Sequence, residues 1–570
     1  LKGVSTLAYS GSNLGGLILV EPNRILHEPH VHGRASYFFE SNGRSNGLNL
    51  EMQQYTPALG WKINGTLKKS GDQKTADYFL NNTGRREANT ALQLEKVFAD
   101  KLFTELYFSS FNTTLGILRG SHLGNLTDLE EALVRDEPLF TEDKFSYKLE
   151  APKQEVHHQL LSLGAKYFFR EHQWLELKMA TQFNSRKEFD VRRSGRSEIP
   201  ALSLKQLSCF ADGKYHHRLR KDLVLNMGSQ LNFIDNTNRI ETGILPLIPD
   251  YLAVESGLFA WINNEGEKSF YEFGVRYDHI HQSVPTISRT TPREIERFTN
   301  SFHNLNLAAG GRFDLGGQIS LSLNAGFVTR NPAINELYSR GLHQGVGGIE
   351  EGNPELLSEK SFKSTIGING QQGKAFSFES LIYYHRINDF IYLRPSDETR
   401  LTIRGAFPVF GYEQTDATIF GFDLLSRLEL SPRVDAKVAF SYLRGRDQTL
   451  GIPLIFMPPN NLLFNVTYHL VNPVKLGKNQ LQNLEVSLES KITFRQGNLL
   501  NEQDFKPAPD GYHLMTLKSS TDLHLGKNRI RFFARADNIF NVAYRDYLNR
   551  QRYFADDLGF NAAVGATFHF

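Results

Sequence analysis

Residues 559–570 read GFNAAVGATFHF. Phe560, Ala562, Val564, Ala566, Phe568 and Phe570 fall on one parity, and Asn561, Ala563, Gly565, Thr567 and His569 on the other. Successive side chains of a strand point to opposite faces, so this period of two predicts a β-strand with one apolar and one polar face. The pattern repeats upstream. In RIRFFARADN (529–538), Ile530, Phe532, Ala534 and Ala536 alternate with Arg529, Arg531, Arg535 and Asp537. In QISLSLNAGF (318–327), Ile319, Leu321, Leu323, Ala325 and Phe327 alternate with Ser320, Ser322, Asn324 and Gly326. NLLFNVTYHL (461–470) follows the same scheme.

Alternation alone suits a soluble sandwich as well as a barrel. The connections separate the two. Very short ones (Ala99-Asp100, Glu171-His172, Gly526-Lys527) alternate with long ones (112–152, 330–356, 394–411, 539–558). Tight turns at one end and long loops at the other describe an outer-membrane barrel. The expected fold class is therefore all-β, a transmembrane antiparallel up-and-down barrel of about 22 strands. Stretches such as 374–393 and 412–431 exceed the roughly 9–11 residues that cross a bilayer, so they should project on the long-loop side. A barrel this wide cannot be filled by its own side chains, and barrels of that size are plugged transporters.

The totals exclude other classes. With 64 basic and 62 acidic residues the net charge is +2, which lacks the basic excess of a nucleic-acid binder. The mean hydropathy is −0.38, and no stretch approaches the roughly 18–20 apolar residues of a membrane helix. The single cysteine, Cys209, can form neither an internal disulfide nor a cysteine zinc site. The one G-x-S-x-G string, GRSNG at 43–47, falls in a tight turn between two strands and not at a strand-to-helix elbow, and no H-E-x-x-H motif is present, so no enzyme is expected.

Three segments carry a family resemblance. The opening LKGVSTLAYSGSNLGGLILVEP (1–22) resembles the last part of the plug domain of TonB-dependent outer-membrane receptors. TRNPAINELYSRGLHQGVGGIEEGNPELLSEKSF (329–362) is similar to that family's mid-barrel signature. ADNIFNVAYRDYL together with GFNAAVGATFHF resembles its closing pair of strands. The resemblance implies active import of a scarce small substrate across the bacterial outer membrane, by a multi-pass protein embedded in outer-membrane lipid. Residues 1–24 would be the end of a plug whose earlier part is missing here, and residues 25–570 the barrel. Implied partners are the TonB-ExbB-ExbD complex, acting through the missing plug segment, and the barrel-assembly machinery, which reads a terminal aromatic, here Phe570. No permanent cofactor is implied.

The 329–362 segment is further similar to zinc-uptake (ZnuD-like) and haem receptors of the family, which places His343 at a substrate ligand position. Neutral imidazole ligates zinc or haem iron. Zinc would want His343 joined by carboxylates, for which Glu350 and Glu351 are the candidates, and by His122 from another loop. Tyr9 and Ser10 lie at a plug turn that reaches toward the substrate in family members. A siderophore or vitamin receptor, or a passive porin-like channel, remain as alternatives. His27, His30 and His32 in HEPHVHGR read as structural or incidental. LTDLEEAL (126–133) predicts a short loop helix capped by Thr127 or Asp128, and Arg529, Arg531 and Arg535 are expected to pair with plug acids inside the lumen.

Overall fold

A computed structural model describes residues 3–9, 16–192, 197–239, 242–288, 290–402, 405–470, 473–476 and 479–570. The chain forms a closed antiparallel barrel of 22 strands. Closure is direct: His32–Glu40 pairs on one side with Ser45–Tyr55 and on the other with Asn561–His569. No helix among the described residues is long and apolar enough to cross a membrane; the strands do the crossing.

The alternation read from sequence sets the two walls. Tyr271, Phe273, Val275 and Tyr277 on one strand, and Phe464, Val466 and Tyr468 on another, are exposed on the outer wall. In a membrane barrel that exposure is contact with lipid. Their neighbours Glu272, Arg276 and Asp278 face the lumen. His157 and His158 fall on opposite walls, as adjacent strand residues must. Arg529, Arg531 and Arg535 find partners within the barrel wall. Arg529 lies 3.9 Å from Asp522, Arg535 lies 2.9 Å from Asp537, and Arg531 donates to Ser520.

Strand lengths differ from the sequence reading at one place that matters. Phe376–Thr402 and Gly405–Ser431 are each 27 residues long, so the stretch 394–411 is the tip of a tall hairpin and not a loop. Pro395 and Pro408 argue against a strand there, because proline cannot donate to a ladder. The structure accommodates Pro395 beside a register shift between Pro395 and Thr399, well above the membrane.

At the long-loop end the connections pack into a cap. Leu80, Leu118, Leu123, Leu129, Ala406, Phe410, Tyr553 and Phe554 form one buried cluster drawn from several loops and the tall hairpin. Fully burying a large apolar side chain stabilises by about 1.5–3 kcal/mol, so the cluster makes these loops a platform. The helix Leu126–Val134 contributes Leu129 and Ala132 to it. Its cap is Asn125, whose extended backbone lets the side chain accept from Asp128 N at 2.8 Å; neither Thr127 nor Asp128 serves.

The segment Val4–Ala8 lies inside the lumen, in the half nearer the short turns. Val4 N donates to Glu272 at 3.0 Å, while Arg276 and Gln230 donate to the carbonyls of Leu7 and Ala8 at 2.9 Å each. Arg276 is held in turn by Asp278. Gly274 forms the floor under Val4 and Leu7: a Cβ there would come within 2.4 Å of Val4. The short-turn end is the periplasmic end of such barrels, and the long loops are extracellular.

Candidate functional site

Arg340–His343 and Gly348–Glu351 form a short hairpin within the loop 331–358. The hairpin docks in parallel on the tall strand, matching Ile349 to Val409 and Glu350 to Phe410. Leu342, Ile349, Phe407 and Val409 bury its apolar face. Period two then sends His343, Gly348 and Glu350 to the other face. The sequence thus turns one imidazole and one carboxylate toward each other on a rigid ledge of the extracellular vestibule.

His343 Nδ1 lies 3.0 Å from Glu350 Oε1. Glu350 is buried and also accepts from Arg550 at 3.0 Å. The Arg550 guanidinium stacks 4.2 Å above the Phe410 ring. Burial acts to raise the Glu350 carboxyl, but the His343 hydrogen bond and charge and the Arg550 guanidinium outweigh it and hold the group below the ordinary carboxylate range. Glu350 is therefore an anion at neutral pH. Against an anionic acceptor His343 Nδ1 is the donor, and Nε2 is the ring nitrogen turned away from Glu350. Nothing among the described residues hydrogen-bonds that nitrogen, and the side chain is 29% exposed.

The other expected ligands lie elsewhere. Glu351 points to the opposite side of its strand, where Arg400 holds it at 2.7 Å. His122 is buried, with Nδ1 3.2 Å from Ser121 Oγ and Nε2 3.9 Å from Asp190. It stands edge-on to Phe407, on the hairpin's apolar side. Tyr9 rests its ring on the Lys214 ammonium at 4.4 Å, on the lumen wall toward the periplasmic end. Ser10 lies outside the described residues. Sequence reading missed Arg550 and Arg400; Arg550 meets Glu350 across 200 residues of chain, which no local pattern foreshadows.

A second ionisable group marks the cap. Burial, with the Arg545 charge beside it, pushes the Lys506 amine down to about 8. An amine with a folded value below its ordinary 10.5 gives up its proton early, so packing of this loop gains as pH rises from about 8 toward 10.5. We expect acylating reagents to modify Lys506 with a midpoint near pH 8, well ahead of exposed lysines, as read by peptide mass spectrometry against pH.

Comparison with known proteins agrees with this architecture. Residues 210–562 match the family described as TonB dependent receptor-like, beta-barrel. Among solved structures, the copper transporter OprC superposes with a TM-score of 0.75 at 15% identity, covering 96% of this chain and 82% of that one. The siderophore receptor PirA from Acinetobacter baumannii gives 0.72 at 13% identity, covering 100% and 84%. The FrpB iron transporter from Neisseria meningitidis gives 0.71 at 13% identity, covering 95% and 82%. At these identities the likeness is one of fold. With a closed 22-strand barrel and a family match over more than half its length, the chain belongs to the TonB-dependent receptors of the outer membrane, which are transporters and not enzymes.

Proposed function

We propose that this receptor imports a scarce metal, as zinc ion or as haem iron, and that His343 Nε2 is its extracellular ligand atom. The observation that carries the reading is the hydrogen bond from His343 Nδ1 to the Glu350 carboxylate. Metal-binding histidines characteristically donate their other ring N–H to a carboxylate, which fixes the tautomer and raises ligand basicity. Glu350 then orients the ligand from behind, and Glu351 stabilises the ledge through Arg400. The segment up to residue 24 is the end of the plug, and uptake is driven by the TonB-ExbB-ExbD complex acting through the earlier part of that plug. Phe570 closes the strand presented to the barrel-assembly machinery.

The test is a titration of the full-length receptor in detergent with zinc and, separately, with haem. One of the two should bind, and His343→Ala should abolish binding at the vestibule. Glu350→Gln should weaken it by about 10–100-fold, the usual cost of losing a carboxylate behind a ligating histidine. A haem complex would lose its imidazole-ligated Soret spectrum in His343→Ala. Equal affinities in wild type and both variants would refute the assignment.

A further inference from the structure

The stretch HEPHVHGR lies at the opposite end of the barrel from His343. It runs from the lumen to the first strand, and three of its side chains alternate in sequence: Glu28, His30 and His32. One ligand atom from each lies within 4.8 Å of the other two, and among the described residues this is the only such group of three. His30 Nε2 is 3.4 Å from Glu28 Oε2, and His32 Nδ1 is 3.8 Å from the same oxygen. His27 is not part of the group; its ring stacks on Tyr55 at 3.9 Å.

The backbone beneath these side chains is fixed. Tyr55 N donates to the Glu28 carbonyl, the Gln54 amide to the Pro29 carbonyl, and Gly33 exchanges two hydrogen bonds with Phe570. The side chains are therefore held over the periplasmic ends of two strands, with His32 on the lumen side.

His32 supplies an independent sign of a ligand. Only 9% of the residue is exposed. Its Nδ1 has the His30 carbonyl at 3.1 Å, but its Nε2 is buried with no partner among the described residues. Leaving such a group unsatisfied costs about 1–3 kcal/mol. With Nδ1 turned to the His30 carbonyl, Nε2 is the ring nitrogen left for a ligand.

We propose that Glu28, His30 and His32 bind a borderline divalent cation of the zinc class at the periplasmic mouth of the barrel. Two imidazoles and one carboxylate make a zinc-type donor set with a coordination position left open. The donors favour zinc-like ions over calcium or magnesium, which prefer all-oxygen shells. The side chains of His30 and Glu28 are 68% and 49% exposed, so water reaches the ion and exchange is fast. The site stands whatever the receptor carries, because none of its residues belongs to the vestibule.

The experiment uses the full chain in detergent, in a His343→Ala background that silences the vestibule. Zinc is titrated at neutral pH against a chromophoric chelator, and cobalt is added as a spectroscopic probe, with calcium as the control. One zinc should bind, and cobalt should give the visible d–d bands of a nitrogen–oxygen site of low coordination. Adding His30→Ala or Glu28→Gln should lower zinc affinity at least about tenfold, since even indirect supports of a metal ligand are worth that much. Both positions are exposed enough for the barrel to fold without them. Absence of zinc binding in the His343→Ala background, unchanged affinity in both added variants, or calcium binding as tightly as zinc would each overturn the proposal. Loss of vestibule binding in His343→Ala alone reports on the transport reading and leaves this site unaffected.

Discussion

Replacing Arg330 by leucine should unseat the whole loop that carries His343 while leaving the barrel intact. Arg330 closes the strand Ile319–Arg330 and grips two carboxylates at once. It forks onto Glu359 at 2.6 and 2.8 Å and onto Glu336 at 2.9 Å. The Glu359 side chain is 1% exposed and also accepts from Ile391 N at 2.7 Å. Glu336 reaches back to Ala333 N and opens the short helix Ile334–Tyr338. Arg330→Leu leaves both carboxylates facing an apolar neighbour. Breaking a buried ion pair from one side costs about 3–5 kcal/mol, a large share of what holds any loop in place. Hydrogen exchange should show protection lost across 331–358 and retained in Ser269–Ile287, and zinc or haem binding at His343 should fall in parallel. Arg330→Lys should recover only part, because an ammonium cannot fork onto two carboxylates. Wild-type protection of 331–358 in Arg330→Leu would disprove the clamp.

The second large effect belongs to Asp504. Arg552 is 3% exposed and ringed by Tyr553, Tyr547 and Phe456, with its guanidinium carbon 4.3, 4.9 and 6.0 Å from their centroids. Its ion-pair partner is the Asp504 carboxylate, which also receives the Tyr553 hydroxyl. Aromatic faces attract a desolvated cation by about 2 kcal/mol, but they do not replace a counter-charge. Asp504→Leu should therefore destabilise the cap by about 3–5 kcal/mol. The sign of the pairing is tested by the double variant: Asp504→Leu with Arg552→Met removes both charges and should regain most of the loss, since apolar groups of similar size substitute well for a buried pair. Limited proteolysis within 494–511 and 538–560 reads the effect. Arg550 sits in the same turn, Arg550–Tyr553, so the single variant should also weaken the support of Glu350. No rescue by the double variant would mean that Asp504 acts through something other than Arg552.

What could be read from sequence follows the range of the forces involved. The strand at 559–570 was plain because alternation is local: each residue's face is set by its immediate neighbours. The hairpin tip at 394–411 was hidden because Pro395 and Pro408 speak against a ladder, and the parallel docking of Gly348–Glu351 that covers the tip lies far off in sequence. The candidate site divides along the same line. His343 and Glu350 are seven residues apart and could be singled out together. That Glu350 stands behind the imidazole, and that Glu351 and His122 turn away from it, depends on Arg550, Arg400 and Asp190. These arrive from other loops and leave no trace in the local pattern. The histidines at 27–32 read as incidental from their place at the plug–barrel junction near the periplasmic rim; the grouping emerges only in three dimensions, where His27 stacks on Tyr55 and Glu28 joins His30 and His32.

The seam of the barrel ties together strands from opposite ends of the sequence. His32–Glu40 is the first of the described strands, yet one of its two neighbours, Asn561–His569, is the last of them. Until those two strands pair, the sheet carries two open edges, each a template for pairing with a wrong chain. The seven paired positions of the seam cover both edges at once. Closure thus depends on both of these strands being present. A product truncated before residue 561 could insert most of its strands and still never become a sealed wall.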